Sequence, residues 1–134
     1  MMLLDDSGSM RDRGEDSSAF DAALTVIRKI ASEGERRPDS QTLTLVLASN
    51  PGQPLFTQEN MNKALIARLE TALKAMRCTH QALDLSVAAE ASRKLLADLS
   101  GTARTFHLLS DFRRDDWEGN PALAGVIQEL EREK

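Results

Sequence analysis

LLDDSGSM, residues 3–10, is the stretch that decides the fold. Leu3 and Leu4 are the tail of something apolar, which stops at Asp5 and Asp6, with Ser7 and Ser9 just beyond. An apolar run that ends in carboxylates and hydroxyls reads as a buried strand whose carboxyl end opens on a polar edge. The same ending recurs in ARTFHLLSD, residues 103–111, which reads as another buried parallel strand, closing at Asp111. TLTLVLAS, residues 42–49, is nearly continuous β-branched and aliphatic side chains bounded by turn formers. It is too short for a typical helix and reads as a further buried strand.

Between these runs the apolar spacing becomes helical. Residues 7–16 are small, charged and glycine-containing, and read as a loop. Ser18 with Asp21 three residues on resembles a capping box, with Asp in the place of Glu. It opens a helix through Phe20, Leu24, Ile27 and Ile30, ended by Gly34. Residues 50–54, NPGQP, are a turn, and Leu55 to Thr57 suits a very short returning strand. A helix is expected from about Gln58 to Met76, with Met61, Leu65, Leu69 and Leu73 spaced by four. Cys78-Thr79-His80 interrupts it. The next helix carries Leu83, Val87, Ala91, Leu95 and Leu99, again spaced by four, and ends at Ser100-Gly101. Residues 112–119 read as a loop. Asn120 as N-cap and Pro121 at the first helical position open a last helix through Ala124, Ile127 and Leu130. The alternation implies an α/β fold, a Rossmann-like three-layer sandwich whose mostly parallel sheet is flanked by helices.

With 134 residues, the chain fits one domain. It is 41% hydrophobic and 28% charged, which is a globular composition and not a disordered one. Aromatics make up only 4%, so the core must be aliphatic. No apolar run approaches the roughly 20 residues needed to span a bilayer, so direct membrane insertion by this segment is not expected. The net charge is -4 with the bases scattered among acids, which argues against nucleic acid as a partner. Cys78 is the single cysteine, so no intrachain disulfide exists.

In a parallel sheet, ligands bind at the carboxyl ends of strands. Asp5 and Asp111 both sit at such ends, and Thr79, expected at the start of a helix, faces the same edge. Three separated segments therefore converge. Two aspartates with Ser7, Ser9 and Thr79 are hard oxygen donors, which suit Mg²⁺, Mn²⁺ or Ca²⁺ and not zinc. Hydroxyls are neutral ligands, so such a site leaves net positive charge on the cation. A carboxylate from another protein can then complete the coordination.

Asp5-Asp6-Ser7-Gly8-Ser9 resembles the Asp-x-Ser-x-Ser signature of von Willebrand factor A (VWA) domains, their metal-ion-dependent adhesion site. Thr79, ahead of Ala82 and Leu83, is similar to that family's isolated threonine, and Asp111 resembles its second aspartate. The resemblance implies a metal at Asp5, Ser7, Ser9, Thr79 and Asp111, with hydroxyls as direct ligands and aspartates acting mainly through water. Asp6 falls at a variable position. It further implies divalent-cation-dependent protein binding, as adhesion or scaffold, to a partner that offers a Glu or Asp. The likeness runs through the whole chain in its order of elements, including a short antiparallel edge at Leu55-Phe56. Arg77-Cys78 stands where the family often has glycines, and Phe112 stands where it often has another. The family's sheet normally has six strands, against four here. The chain is therefore expected to be a single VWA-like domain over residues 1–134, truncated at both ends, with C-terminal strands missing. The strand ending at Asp111 should then be a sheet edge that invites self-association. In bacteria, domains resembling this one often sit in larger membrane-anchored proteins.

Catalysis is not expected. Position 7 is Ser, so the second carboxylate of an Asp-x-Asp phosphotransferase is missing, and there is no Gly-x-Ser-x-Gly elbow or phosphate loop. The competing readings are a metal-dependent hydrolase or phosphotransferase using Asp5, and a structural α/β module without a metal site. His80 reads as a surface residue, His107 as a packed strand residue and Cys78 as a small filler. Trp117, in the loop after Asp111, reads equally as a partner anchor or as a side chain packed on a helix.

Overall fold

The apolar run at the chain start forms β1 (Met2–Leu4), whose three residues are all buried. The computed structural model describes residues 1–12, 16–99 and 103–132. After a 3-10 turn at Gly8–Arg11 come α1 (Ala19–Glu35), β2 (Thr42–Leu47), β3 (Phe56–Asn60), α2 (Lys63–Ala75) and α3 (Leu85–Ala97). They are followed by β4 (His107–Leu109), the one-turn α4 (Arg114–Trp117) and α5 (Pro121–Glu131). The sheet order is β3-β2-β1-β4. β1 lies parallel to both neighbours, and only β3 is antiparallel. The fold is therefore α/β, with a mostly parallel sheet between helices.

Alternation along the strands sorts the core into layers. Met2, Leu4, Leu43 and Leu45 pack with the apolar stripes of α1 and α2. Leu3, Val46 and Ala48 pack on the other face with Leu85, Ala88 and Trp117. The capping box of α1 is present in full: Ser18 Oγ accepts from the Asp21 N–H at 3.0 Å, and Asp21 accepts from the Ser18 N–H. Asn120 caps α5 with Pro121 at its first turn, as expected. Among the described residues, no helix is long and apolar enough to cross a membrane.

Several expected boundaries move. The helix expected from Gln58 starts at Lys63, because Gln58–Asn60 belong to β3. Gln58 adopts φ +49 and donates its N–H to the Thr44 hydroxyl at 3.0 Å, within a bulge that shifts the β2–β3 register. Asn62 then caps α2 by accepting from the Leu65 N–H. The strands end earlier than read, at Leu47 and, for β4, within His107–Leu109. Residues 112–119, read as a loop, contain α4. The expected stop at Ser100-Gly101 lies outside the described residues.

The apolar stripes of the last two long helices also shift. α3 buries Leu85, Ala88, Ala89, Ser92 and Leu96, and Val87 is 56% exposed. α5 buries Val126 and Glu129, and Ile127 is 51% exposed. Small side chains on α3 allow α5 to approach closely. Arg104 and Glu129 tie the two helices: Arg104 donates to the Leu96 and Glu129 carbonyls at 2.8 Å. β4 forms one edge of the sheet, paired to β1 alone among the described strands.

Gly34 does not end α1, which runs to Glu35. It is buried, and a Cβ there would sit 2.0 Å from Met61 Sδ. Glycine here meets a close approach by one side chain, Met61, and does not serve a turn. Gly34→Ala should destabilise the protein by about 1–3 kcal/mol through overpacking, despite alanine's better helix propensity. In a Met61→Ala background the same change should cost measurably less. Urea unfolding of both single variants and the double variant checks this coupling, and purely additive losses would contradict it.

Candidate functional site

The carboxyl end of β1 builds the site. Asp5 is fully buried at 0% exposure. Its Oδ1 accepts from the Ser7 N–H at 2.9 Å, and its Oδ2 accepts from the Ser110 hydroxyl at 2.8 Å. The Asp5 N–H donates to the Leu109 carbonyl at 2.8 Å, which extends the β1–β4 pairing by one bond. Past Asp5 the chain turns into the 3-10 segment. This places the Ser7 and Ser9 hydroxyls 3.0 Å apart.

Thr79 does not start a helix. α2 ends at Ala75 and α3 begins at Leu85, leaving Thr79 in the irregular segment between them. It is nevertheless brought to the site. The Thr79 N–H donates to the Asp6 carbonyl at 2.7 Å, and the Gly8 N–H donates to the Gln81 carbonyl at 3.1 Å. The Thr79 hydroxyl donates to the Gln81 carbonyl at 3.3 Å.

Asp111 follows β4 by two residues. Its Oδ2 lies 3.3 Å from Arg113 Nε. Its Oδ1 is buried and has no hydrogen-bond partner among the described residues. Phe112, next in the chain, has φ +52, the left-handed region that favours glycine, and the residue is 57% exposed. Its N–H donates to the Ser110 hydroxyl at 3.1 Å.

Asp6 has a different job. At 3% exposure, it accepts from the Ser49 N–H at 2.9 Å and from the Ser49 hydroxyl at 2.5 Å, clamping the end of β2. Trp117 is a packed residue: it is buried and donates its Nε1–H to the Ser110 hydroxyl at 3.0 Å. His80 is exposed beside the Arg11 guanidinium, with each ring nitrogen 3.0 Å from one of its nitrogens. Cys78 is buried, and burial pushes its thiol up, with Arg11 opposing. That is an inert thiol. Burial lowers the pKa of His107, which suits a packed strand residue.

Two participants were missed in the sequence. Ser110 links Asp5, Phe112 and Trp117 through one hydroxyl. Its signal was its place directly before the strand-end aspartate. Asp116 on α4 is the other. Burial first, and then the charges of Asp5 and Asp111, push its carboxyl above the ordinary value, while Arg113 opposes them. Nothing in the local sequence marks Asp116 over its neighbour Asp115.

Asp5 and Asp6 are buried carboxylates satisfied by neutral donors, with no ion pair to either among the described residues. Asp5 places its buried negative charge beside Ser7, whose hydroxyl meets that of Ser9. Among the described residues, no three His, Cys, Asp or Glu side chains form a metal-holding group. The set here is of another kind, two carboxylates with three hydroxyls. It fits a hard cation on two counts, the chemistry of its donors and the orphaned Oδ1 of Asp111. No protein-family model matches the chain, and no curated protein matches it either.

The Asp116 shift has a signed consequence. A carboxyl whose folded pKa is raised contributes stability below its unfolded pKa and loses it as pH rises through the folded value. Asp116→Asn escapes that loss. The variant should therefore melt above wild type at pH 7, with the gap closing as pH falls towards 3.5. Thermal melts across that range check it, and a gap independent of pH would contradict it.

Proposed function

We propose that this chain is a divalent-cation-dependent protein-binding domain, with Mg²⁺ or Mn²⁺ held over Asp5, Ser7, Ser9, Thr79 and Asp111. Ca²⁺ is the remaining candidate by donor chemistry. The observation that carries the reading is the buried Oδ1 of Asp111, which has no hydrogen-bond partner among the described residues, on the same edge as the fully buried Asp5 carboxylate, whose only described partners are neutral donors. A bound cation supplies electrostatic attraction for a further oxygen ligand. With neutral hydroxyls as the direct ligands, that further ligand is best an anionic Glu or Asp of a partner.

The residues divide the work. Ser7 and Ser9 present adjacent hydroxyls, and the Ser7 N–H fixes one oxygen of Asp5. Ser110 fixes the other. With both oxygens engaged, Asp5 suits a fixed charged wall better than a nucleophile, which is why binding is favoured over hydrolysis. Arg113, paired with Asp12 at 2.6 Å and with Asp111, holds the β4 side of the rim to the loop after the 3-10 turn. The exposed Phe112 ring offers an apolar contact beside the carboxylate-binding position. The resemblance to VWA domains leads to the same reading.

Thermal unfolding in EDTA and in millimolar Mg²⁺ or Mn²⁺ tests the reading. Metal at 100 times its dissociation constant adds roughly 2.7 kcal/mol. That corresponds to a rise in midpoint of about 10 °C for a domain of this size. The rise should vanish in Ser7→Ala, whose own melt in EDTA should stay close to wild type. A wild-type melt indifferent to metal would leave the structural-module reading ahead.

A further inference from the structure

Beside the site runs a groove of about 640 Å³, between the first turns of α1 and the last turn of α2. Its floor includes Phe20, Leu24 and Leu73, all buried. Its rim carries Arg11, Lys74 and Arg77, all exposed. Two of its lining residues are close in sequence to the proposed metal ligands: Arg11 stands two residues after Ser9, and Cys78 directly precedes Thr79.

Three exposed bases without a carboxylate partner among the described residues stand together on this rim. The chain is net acidic, and most described arginines lie against a carboxylate. Arg11, Arg37 and Arg77 do not, and two of these three stand on this rim. Arg11 lies against His80 and donates to the Cys78 carbonyl at 3.3 Å. Arg77 donates to the carbonyls of Lys74 and Met76. Arg28, deeper in the same groove, is paired with Glu70 at 2.6 Å. Asp21 is the acid there, and it is engaged with the Ser18 cap. The groove therefore has an excess of positive charge over an apolar floor. A polyanion without apolar groups would waste the floor, and the lining offers no exposed aromatic ring on which a base could stack.

From this juxtaposition of an unneutralised Arg11–Lys74–Arg77 rim with an apolar floor, we infer that the groove docks an acidic peptide segment of the partner. The segment carries apolar side chains between its acids and is continuous with the residue that reaches the metal. The inference rests on the metal-dependent reading above, and deepens it by stating the chemistry of the partner.

A randomised twelve-residue peptide display library, panned on the whole chain in millimolar Mg²⁺, supplies the probe. Winning sequences are synthesised, labelled and titrated by fluorescence anisotropy. They should be rich in Asp and Glu with interspersed Leu, Ile or Phe. Lys74→Glu/Arg77→Glu should weaken them about tenfold in 0.1 M salt, and Lys74→Gln/Arg77→Gln by less. The loss should shrink in 1 M salt, where the screening length falls from about 10 Å to about 3 Å. Both variants should fold and keep the Mg²⁺ response; their melts should fall somewhat below wild type, more for the Glu pair, because Arg77 donates to the Lys74 and Met76 carbonyls at the end of α2. The inference is overturned if no peptide is selected, if the winners lack acids, or if charge reversal leaves their affinity unchanged. It is also overturned if a twelve-residue oligothymidylate displaces them equally well. Acidic peptides that still bind in EDTA and to Ser7→Ala, yet fail with the charge-reversed groove, would uphold the groove and sink the metal reading alone.

Discussion

Asp5 and Asp6 leave the central strand side by side with both carboxylates buried, and the rest of the structure is arranged around satisfying them. β1 has three residues, so its own ladder supplies few hydrogen bonds to either neighbour. The two aspartates extend its hold. Asp5 reaches the Ser110 hydroxyl after β4, and Asp6 reaches Ser49 after β2. Asp5 and Asp6 lie just past the last residue of β1, and through these bonds one dipeptide clamps the ends of both neighbouring strands. Burying two carboxylates costs several kcal/mol each, and here neutral N–H and O–H donors offset that cost. The negative charge that remains at this edge is what the proposed cation would meet. Fold and site are thus products of one requirement.

That requirement is why so much was legible from the sequence. An apolar run that stops at carboxylates is an unusual ending, and it occurs twice, at Asp5 and at Asp111. Caps formed by Ser18 and Asn120 are local, so they could be read without tertiary information. What failed was set by distant partners. Gln58 enters β3 because Thr44 offers it an acceptor. The stripe on α3 shifts to alanines because α5 packs there, and neither neighbour is visible in a helical period. Gly34 looked like a stop and is a contact, since its reason lies across the core at Met61. Asp116 is distinguished from Asp115 only by which of them the turn of α4 brings towards Asp5 and Asp111.

The rim at β4 holds a local conflict. Phe112 occupies a left-handed backbone position at a cost on the order of 1–3 kcal/mol for a bulky residue. Three contacts over-determine it. Its N–H meets Ser110, its ring lies 6.4 Å from that of Trp117, and the following Arg113 is tied to both Asp111 and Asp12. The same Ser110 hydroxyl that accepts from Phe112 and Trp117 donates to Asp5. The turn that places Asp111 is therefore coupled to the buried carboxylate of the central strand through one oxygen. Strain at the rim is balanced by bonds that also order the site.

The groove bears on how such a site reaches useful affinity. A single carboxylate on one cation offers little buried area, and exposed charge pairs contribute only about 0.2–1 kcal/mol each. Neither alone distinguishes one acidic protein from another. Joined on one continuous segment they reinforce each other, because the first contact raises the effective concentration of the second. In the proposed complex the acid at Ser7 and Ser9 comes first, followed by a stretch past Arg11 towards Lys74 and Arg77. Specificity then arises from spacing. An acidic partner whose charges and apolar side chains are out of step with the rim and floor can meet the cation or the groove, but not both.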